Sequence, residues 1–285
     1  MSRSNVARLL VSCPDREGII AALSSALRDA GANISSSDQF SSDPYGGSFS
    51  LRMEFYLPSP EEAFPALELR LAEIGAELGL DYHLVDARRR KPVALFVSKY
   101  DHCLLDLLWR WRRGELDMDV VAVVSNHPDL QHEVARFDVP YHHIPVTRET
   151  KSEAEQAQLE LLTGEVELVV MARYMQVLSN EFLKRIGAPV INIHHSFLPA
   201  FAGAGPYQRA HERGVKLIGA TAHYATEDLD EGPIIEQDVV RVSHREDAAS
   251  LERIGADVER LVLARAVSWH LQDRILLQGH RAIIF

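Results

Sequence analysis

Near residue 92 the chain changes its hydrophobic rhythm, and that change limits what it can fold into. Before it, Ser48-Phe-Ser-Leu-Arg-Met-Glu-Phe-Tyr56 alternates apolar and polar residues, the pattern of a strand buried on one face. After it come apolar runs: Val93-Ala-Leu-Phe-Val97, Val120-Val-Ala-Val-Val124 and, interrupted only by Glu167, Val166-Glu-Leu-Val-Val-Met171. Runs of that kind suit a parallel sheet covered by helices on both faces. The 285 residues are also enough for two domains. The expected organisation is a small unit over 1–86, a linker over 87–92 and an α/β unit over 93–285.

In the first unit, strands are expected at Val6–Ser12, Asn33–Ser41, Ser48–Tyr56 and Asp81–Val85. Helices are expected at Gly18–Leu27, with Asp15 as its cap, and at Pro58–Leu78. Gly31 stops the first helix, and Pro44-Tyr-Gly-Gly47 is a turn. The order is β-α-β-β-α-β, a ferredoxin-like fold. Asp15-Arg16-Glu17-Gly18-Ile19 after the first strand and Gly31-Ala-Asn33-Ile34 before the second resemble an ACT domain. That resemblance implies an amino-acid effector bound at paired interfaces; a dimerisation module without a ligand is the alternative. A homodimer or homotetramer is implied in either case.

Beyond the linker, strands alternate with helices until Val190–His194. That order argues for right-handed crossovers and a Rossmann-like open, mostly parallel sheet. Strands at Ile218–Ala225 and Ile234–Val242 and a long helix at Ala248–Leu271 follow. Ligands of such sheets bind at the carboxyl ends of the strands.

Composition removes several partners. A formal net charge of −11 argues against nucleic acid and anionic membranes, since both need cationic surfaces. The basic run Arg88-Arg-Arg-Lys91 is read as solvated linker. No apolar stretch reaches the roughly 18 residues of a spanning helix, and the N-terminus lacks a signal-peptide core. Cys13 and Cys103 form no disulfide framework, which fits the cytoplasm. Cys13 is expected to be buried; Cys103 lies near a helix start, where a thiolate is favoured, but packing on the sheet is the stronger reading.

The chemistry concentrates in Asn192-Ile193-His194 and Asp228-Leu-Asp230-Glu-Gly-Pro233. On a strand, Asn192 and His194 share a face. Asp230 sits in a turn-like stretch between two further strands. An amide, an imidazole and a carboxylate can polarise a carbonyl, stabilise an oxyanion and move a proton without a metal. Taken alone, the same residues also describe a strand end with a hydrogen-bonded histidine.

Their surroundings decide between the two. Asn192-Ile-His-His-Ser-Phe-Leu-Pro-Ala-Phe201, Gly219-Ala-Thr-Ala-His223 and Asp228-Leu-Asp-Glu-Gly-Pro-Ile-Ile235 resemble the catalytic domain of folate-dependent formyltransferases. Two departures narrow the resemblance. Ser98-Lys-Tyr-Asp-His-Cys-Leu104 stands where glycinamide ribonucleotide formyltransferases carry a glycine-rich phosphate loop, and without glycines backbone N–H groups cannot close on phosphate oxygens. His195 also replaces a proline. With the N-terminal unit, these features resemble the formyltetrahydrofolate deformylases. The resemblance implies Asn192, His194 and Asp230 as catalytic residues, and a folate pocket from Met175, Gln176, Val177, Leu178, Ala225, Thr226, Glu227 and Asp228.

By the same resemblance, 10-formyltetrahydrofolate and water are the reactants, with formate and tetrahydrofolate as products. Folate is the substrate, and no cofactor or metal is expected. His102 and His195 are candidates to hold the hydrolytic water. Gln176 and Gly205 stand where the pattern usually shows arginine. A formyltransferase with another amine acceptor and a non-catalytic ACT-based sensor are the alternative functions. His127, His132, His142 and His143 do not form a spaced ligand set with carboxylates or cysteines, and are read as ordinary histidines.

Overall fold

The computed structural model describes residues 5–43, 45–200 and 205–285. Pro44 of the expected turn and Phe201–Ala204 of the loop after the Asn-Ile-His motif lie outside the described residues. The chain divides into two compact units. One comprises Met1–Arg90, Gln272–Gln278 and Ile283–Phe285; the other comprises Lys91–Leu271 and Gly279–Ala282.

The first unit runs β1 (Val6–Pro14), α1 (Ile19–Asp29), β2 (Asn33–Ser41), β3 (Ser48–Tyr56), α2 (Pro60–Leu78) and β4 (Asp81–Asp86). Its sheet has the order β2-β3-β1-β4, antiparallel throughout. The alternation of β1 and β3 sorts the two faces. Leu9, Val11, Leu51 and Phe55 point into a core shared with Leu23 and Leu27 of α1 and Leu67 and Leu71 of α2. Arg8, Ser50 and Arg52 occupy the opposite face and are nonetheless buried. Asp15 does not cap α1. The cap position is Gly18, at φ 89, and the Asp15 carboxylate accepts a hydrogen bond from Ser41 instead.

The C-terminal residues were expected in the second unit, but Gln272–Gln278 and Ile283–Phe285 group with the first. The reason is electrostatic. Arg8 Nη1 donates to Asp273 Oδ2 at 2.9 Å, and Arg52 donates to the Asp273 and Gln272 carbonyls, each at 3.0 Å. A C-terminal hairpin of β12 (Ile275–Gln278) and β13 (Arg281–Ile284) follows, which the sequence did not suggest.

The second unit begins with β5 (Lys91–Val97), so Lys91 and Pro92 of the expected linker are strand residues. Next come α3 (His102–Arg112), β6 (Met118–Ser125), α4 (Gln131–Ala135), β7 (Tyr141–His143), α5 (Lys151–Leu162), β8 (Leu168–Met171), α6 (Asn180–Arg185) and β9 (Val190–His194). The unit is completed by α7 (Pro206–Arg213), β10 (Leu217–Tyr224), β11 (Ile234–Arg241) and α8 (Ala248–Leu271). The sheet order is β11-β10-β9-β8-β5-β6-β7. β9 through β7 are parallel, whereas β10 is antiparallel to both its neighbours.

After β7 the chain returns to the other side of β5. The crevice between β5 and β8 is therefore the switch point where open α/β sheets bind ligands. Ser98 secures it: its Oγ donates to Asn126 Oδ1 at 2.6 Å and accepts the Met175 N–H at 2.9 Å. No helix among the described residues is long and apolar enough to cross a membrane.

Candidate active site

Strand geometry assembles the trio. Asn192 and His194 lie on one face of β9, and antiparallel pairing sets His223 of β10 opposite Asn192. The chain after β10 then returns Asp230 to the same place. Gly232 makes that return possible, because a Cβ there would meet the Tyr224 carbonyl at 1.8 Å. His194 Nδ1 lies 3.2 Å from Asp230 Oδ2, and Asn192 Nδ2 lies 3.2 Å from His223 Nε2.

The hydrogen bonds fix who donates. His223 Nδ1 is 2.9 Å from the Tyr224 carbonyl, an acceptor, so Nδ1 carries the proton. Burial pushes the His223 pKa down, so the ring is neutral and its Nε2 accepts from Asn192. The hydrogen bond from His194 holds the Asp230 carboxyl below its ordinary value, in spite of burial. His194 Nδ1 donates to that carboxylate. Its Nε2 is buried and has no hydrogen-bond partner among the described residues.

His195 follows at once. Because β9 ends at His194, strand alternation no longer turns His195 away. Its ring lies 5.2 Å from that of His194 and 6.1 Å from that of Tyr207. Burial first, and the Arg173 charge second, push its pKa down to about 4. Thr221 fixes the backbone beyond: its Oγ1 donates to the Ser196 carbonyl at 2.9 Å and accepts the Leu198 N–H at 3.0 Å.

A cleft of about 270 Å³ opens on the trio. Its walls include residues 175–178 and 225–230, so every residue expected in the folate pocket lines it. Met175 and Val177 are exposed and are not core packing, whereas Leu178 belongs to the buried core as well. Arg173, Tyr174, His223 and Leu229 line the cleft too and were not singled out from sequence. Gly205 has φ 64 at the start of α7, a backbone conformation in which an arginine would be strained.

His102 has a partner that its sequence position did not reveal. Its Nε2 donates to Glu259 Oε2 at 2.8 Å, from α3 to α8. Tyr207 donates to Glu259 Oε1 at 2.6 Å, and Arg173 Nε lies 3.4 Å from Oε2. Burial raises the Glu259 carboxyl, but hydrogen bonding to His102 and the Arg173 charge outweigh it and hold the group ionised. Cys103, fully buried beside it, is driven well above the ordinary thiol range, first by burial and then by the Glu259 charge, so it is not a thiolate. His102, Cys103 and Glu259 offer ligand atoms within 4.8 Å of one another. Yet the carboxylate's oxygens are already engaged, and a guanidinium already faces it, so the group does not suit a cation.

A seven-stranded sheet with an amide, an imidazole and a carboxylate gathered at the carboxyl end of β9, preceded by a ferredoxin-like unit, defines an enzyme of the formyl transferase fold fronted by an ACT domain. The formyl transferase family matches residues 91–267, and the ACT domain family matches residues 7–58. Formyltetrahydrofolate deformylase from Mycobacterium tuberculosis is 59% identical over 283 residues, covering 99% of this chain and 91% of that protein. The enzyme of that name from Bacillus subtilis is 49% identical over 279 residues, covering 98% and 93%. The crystal structure of formyltetrahydrofolate deformylase from Burkholderia mallei superposes with a TM-score of 0.91 at 43% identity, covering 99% of both chains. The chain belongs to the formyltetrahydrofolate deformylase family.

Proposed function

We propose that this chain hydrolyses 10-formyltetrahydrofolate to formate and tetrahydrofolate. The observation that carries the reading is the state of His194. One ring nitrogen is bonded to Asp230, and the other is buried without a partner, beside Asn192, in the wall of a cleft. A buried polar atom of that kind is suited to a ligand that completes it.

In this reading the formyl oxygen lies between Asn192 Nδ2 and His194 Nε2. Water attacks the formyl carbon, and the oxygen becomes an oxyanion. Asn192 donates one N–H bond to it, and protonated His194 adds a charge-assisted one. Asp230 accepts the His194 Nδ1–H, which aims Nε2 at the oxyanion, and orients or deprotonates the water. The C–N10 bond then breaks and N10 takes a proton. Water has supplied the second oxygen of formate and the hydrogen on N10, and the acid's own proton is lost to solvent. No step requires a metal or a further cofactor.

Residues 175–178 and 225–230 are read as the folate-binding walls, with backbone groups reading the pterin. The groove beside α1, lined by Asp15, Arg16, Ser24, Gln39 and Ser41, supports an amino-acid effector at the ACT domain. A homodimer or homotetramer in the cytoplasm, where the formate serves purine synthesis and balances one-carbon pools, completes the proposal.

The experiment is direct. Purified protein is incubated with 10-formyltetrahydrofolate and no acceptor, and formate and tetrahydrofolate are measured. Equal release of both is expected. Product only on addition of an amine would make the chain a transferase, and binding without turnover would make it a sensor.

A further inference from the structure

We infer that Glu259 is a positioning residue for the hydrolytic reaction: it holds His102, Arg173 and Tyr207 in one arrangement beside His195, and that arrangement favours water over an amine at the formyl carbon. The inference rests on the hydrolytic reading above and says which residue enforces it.

The arrangement touches the site through two residues. Arg173 lines the cleft together with Asn192, His194 and Asp230. His195 lines it as well, and its ring faces that of Tyr207. On their far side His195 and Tyr207 line a second cavity of about 320 Å³, while the charged groups themselves are buried. Glu259 is 1% exposed, Arg173 5% and Tyr207 8%. The Arg173 guanidinium also lies over the Tyr100 ring, 4.7 Å from its centroid, which further fixes its position.

Stability does not explain this construction. Burying a carboxylate and a guanidinium costs several kcal/mol in desolvation, and an apolar cluster of similar volume commonly serves stability as well or better. The pairing is incomplete too, since Arg173 Nε and Nη1 are buried with no hydrogen-bond partner among the described residues. Perturbed, incompletely satisfied charges beside a reactive cleft are a mark of function.

The backbone is shaped to the same end. Gly255 lies one helical turn before Glu259, and a Cβ there would sit 1.9 Å from the Tyr207 hydroxyl. A mid-helix glycine is less favourable than alanine. Here it admits the tyrosine whose hydroxyl reaches Glu259.

The two outcomes are chemically distinct and both balance. With water, a C–O bond forms, the C–N10 bond breaks, N10 gains a proton, and formate and a proton are released. With a primary amine, a C–N bond forms, the C–N10 bond breaks, and the amine's proton passes to N10, leaving an N-formyl product.

The test compares full-length wild type with Glu259→Gln and Tyr207→Phe. Each is given 10-formyltetrahydrofolate with and without hydroxylamine, and tetrahydrofolate, formate and formyl hydroxamate are measured. Glu259→Gln is expected to lower kcat for formate release about tenfold or more, since small misplacements at a reacting centre are costly. KM should stay within about threefold, because the folate walls are intact. The share of formyl groups passing to hydroxylamine should rise several-fold. Tyr207→Phe, which deletes one hydrogen bond, should move the same ratio in the same direction by less. If Glu259→Gln does not fold, Tyr207→Phe decides alone. Wild-type values of kcat and partition in the folded variants would overturn the inference. So would kcat falling in step with thermal stability at constant partition, the signature of a structural role. Failure of the wild type to release formate without an amine would instead overturn the hydrolytic reading.

Discussion

At the scale of single residues, the site depends on which nitrogen of each histidine is already committed. His194 gives Nδ1 to Asp230 and keeps Nε2; His223 gives Nδ1 to the Tyr224 carbonyl and uses Nε2 to orient Asn192. Loss of one oxyanion donor typically costs on the order of 10² to 10³ in rate. Asn192→Ala and His194→Ala are each expected to lower kcat for formate release by that order with little change in KM; near-normal turnover in both would defeat the assignment. His195 carries a pH prediction. Its pKa falls from 6.5 to about 4 on folding, so between those values the unfolded chain binds more protons. The neutral ring's stabilisation is fully present above pH 6.5 and is lost as pH falls toward about 4. It amounts to at most about 3 kcal/mol. Thermal melts across this window should fall less steeply for His195→Asn than for wild type. Part of the slope should remain, because His223 is depressed in the same direction. Asn192 and His194 were legible in sequence because strand period two puts them on one face. His223 and Arg173 were not, because their partners are set by strand pairing and by α8, and neither is marked by local spacing.

At the scale of elements, α7 and α8 approach most closely where Tyr207 meets Gly255. The Cβ of an alanine at 255 would lie 1.9 Å from the Tyr207 hydroxyl and 2.3 Å from the ring carbon that bears it. Helix propensity alone predicts that Gly255→Ala stabilises by about 1 kcal/mol. The ring prevents that gain, and overpacking of this kind costs about 1–3 kcal/mol. Gly255→Ala is therefore expected to lower the free energy of unfolding in urea, and Tyr207→Ala in the same chain should recover part of the loss. Additive effects of the two changes would contradict the contact. Long, periodic elements were readable at this scale: β2, β3, β9 and α8 have the bounds expected of them. The helix α7 was not, because only Pro206, Tyr207 and Ala210 of its eight residues are buried, too few to show a period. The C-terminal hairpin carries four-residue strands too short to show a period, and the Gly279-His280 pair that joins them is a weak signal without such a period beside it.

At the scale of the whole molecule, chain order and unit membership part company at the C-terminus. The change of hydrophobic rhythm near residue 92 marks the start of the second unit well, since Lys91 opens it. Nothing comparable marks the return of Gln272–Gln278 to the first, because that return rests on Arg8 and Arg52, residues far away in the sequence. Alternation on β1 and β3 puts both arginines on the sheet face away from the helices, where a polar residue is expected to meet water. Instead each is buried, at 8% and 6% exposure, with the Asp273 segment and Glu54 as partners. Asp273→Ala removes one of the two carboxylates that Arg8 binds and leaves Glu54 in place, so the loss is that of a hydrogen bond between charged groups. It is expected to destabilise the first unit by about 2 kcal/mol. Asp273→Asn should cost less, because its side chain can still accept from Arg8 Nη1. The two backbone carbonyls that Arg52 uses are present in both variants, so the difference isolates the side-chain pair. Hydrogen exchange separates local from general effects. Amides of β1 and β3 should exchange faster in Asp273→Ala, while those of β5 and β6 keep wild-type protection. Equal loss of protection in both sheets would mean that the two units unfold together and that the C-terminal segment belongs to neither alone.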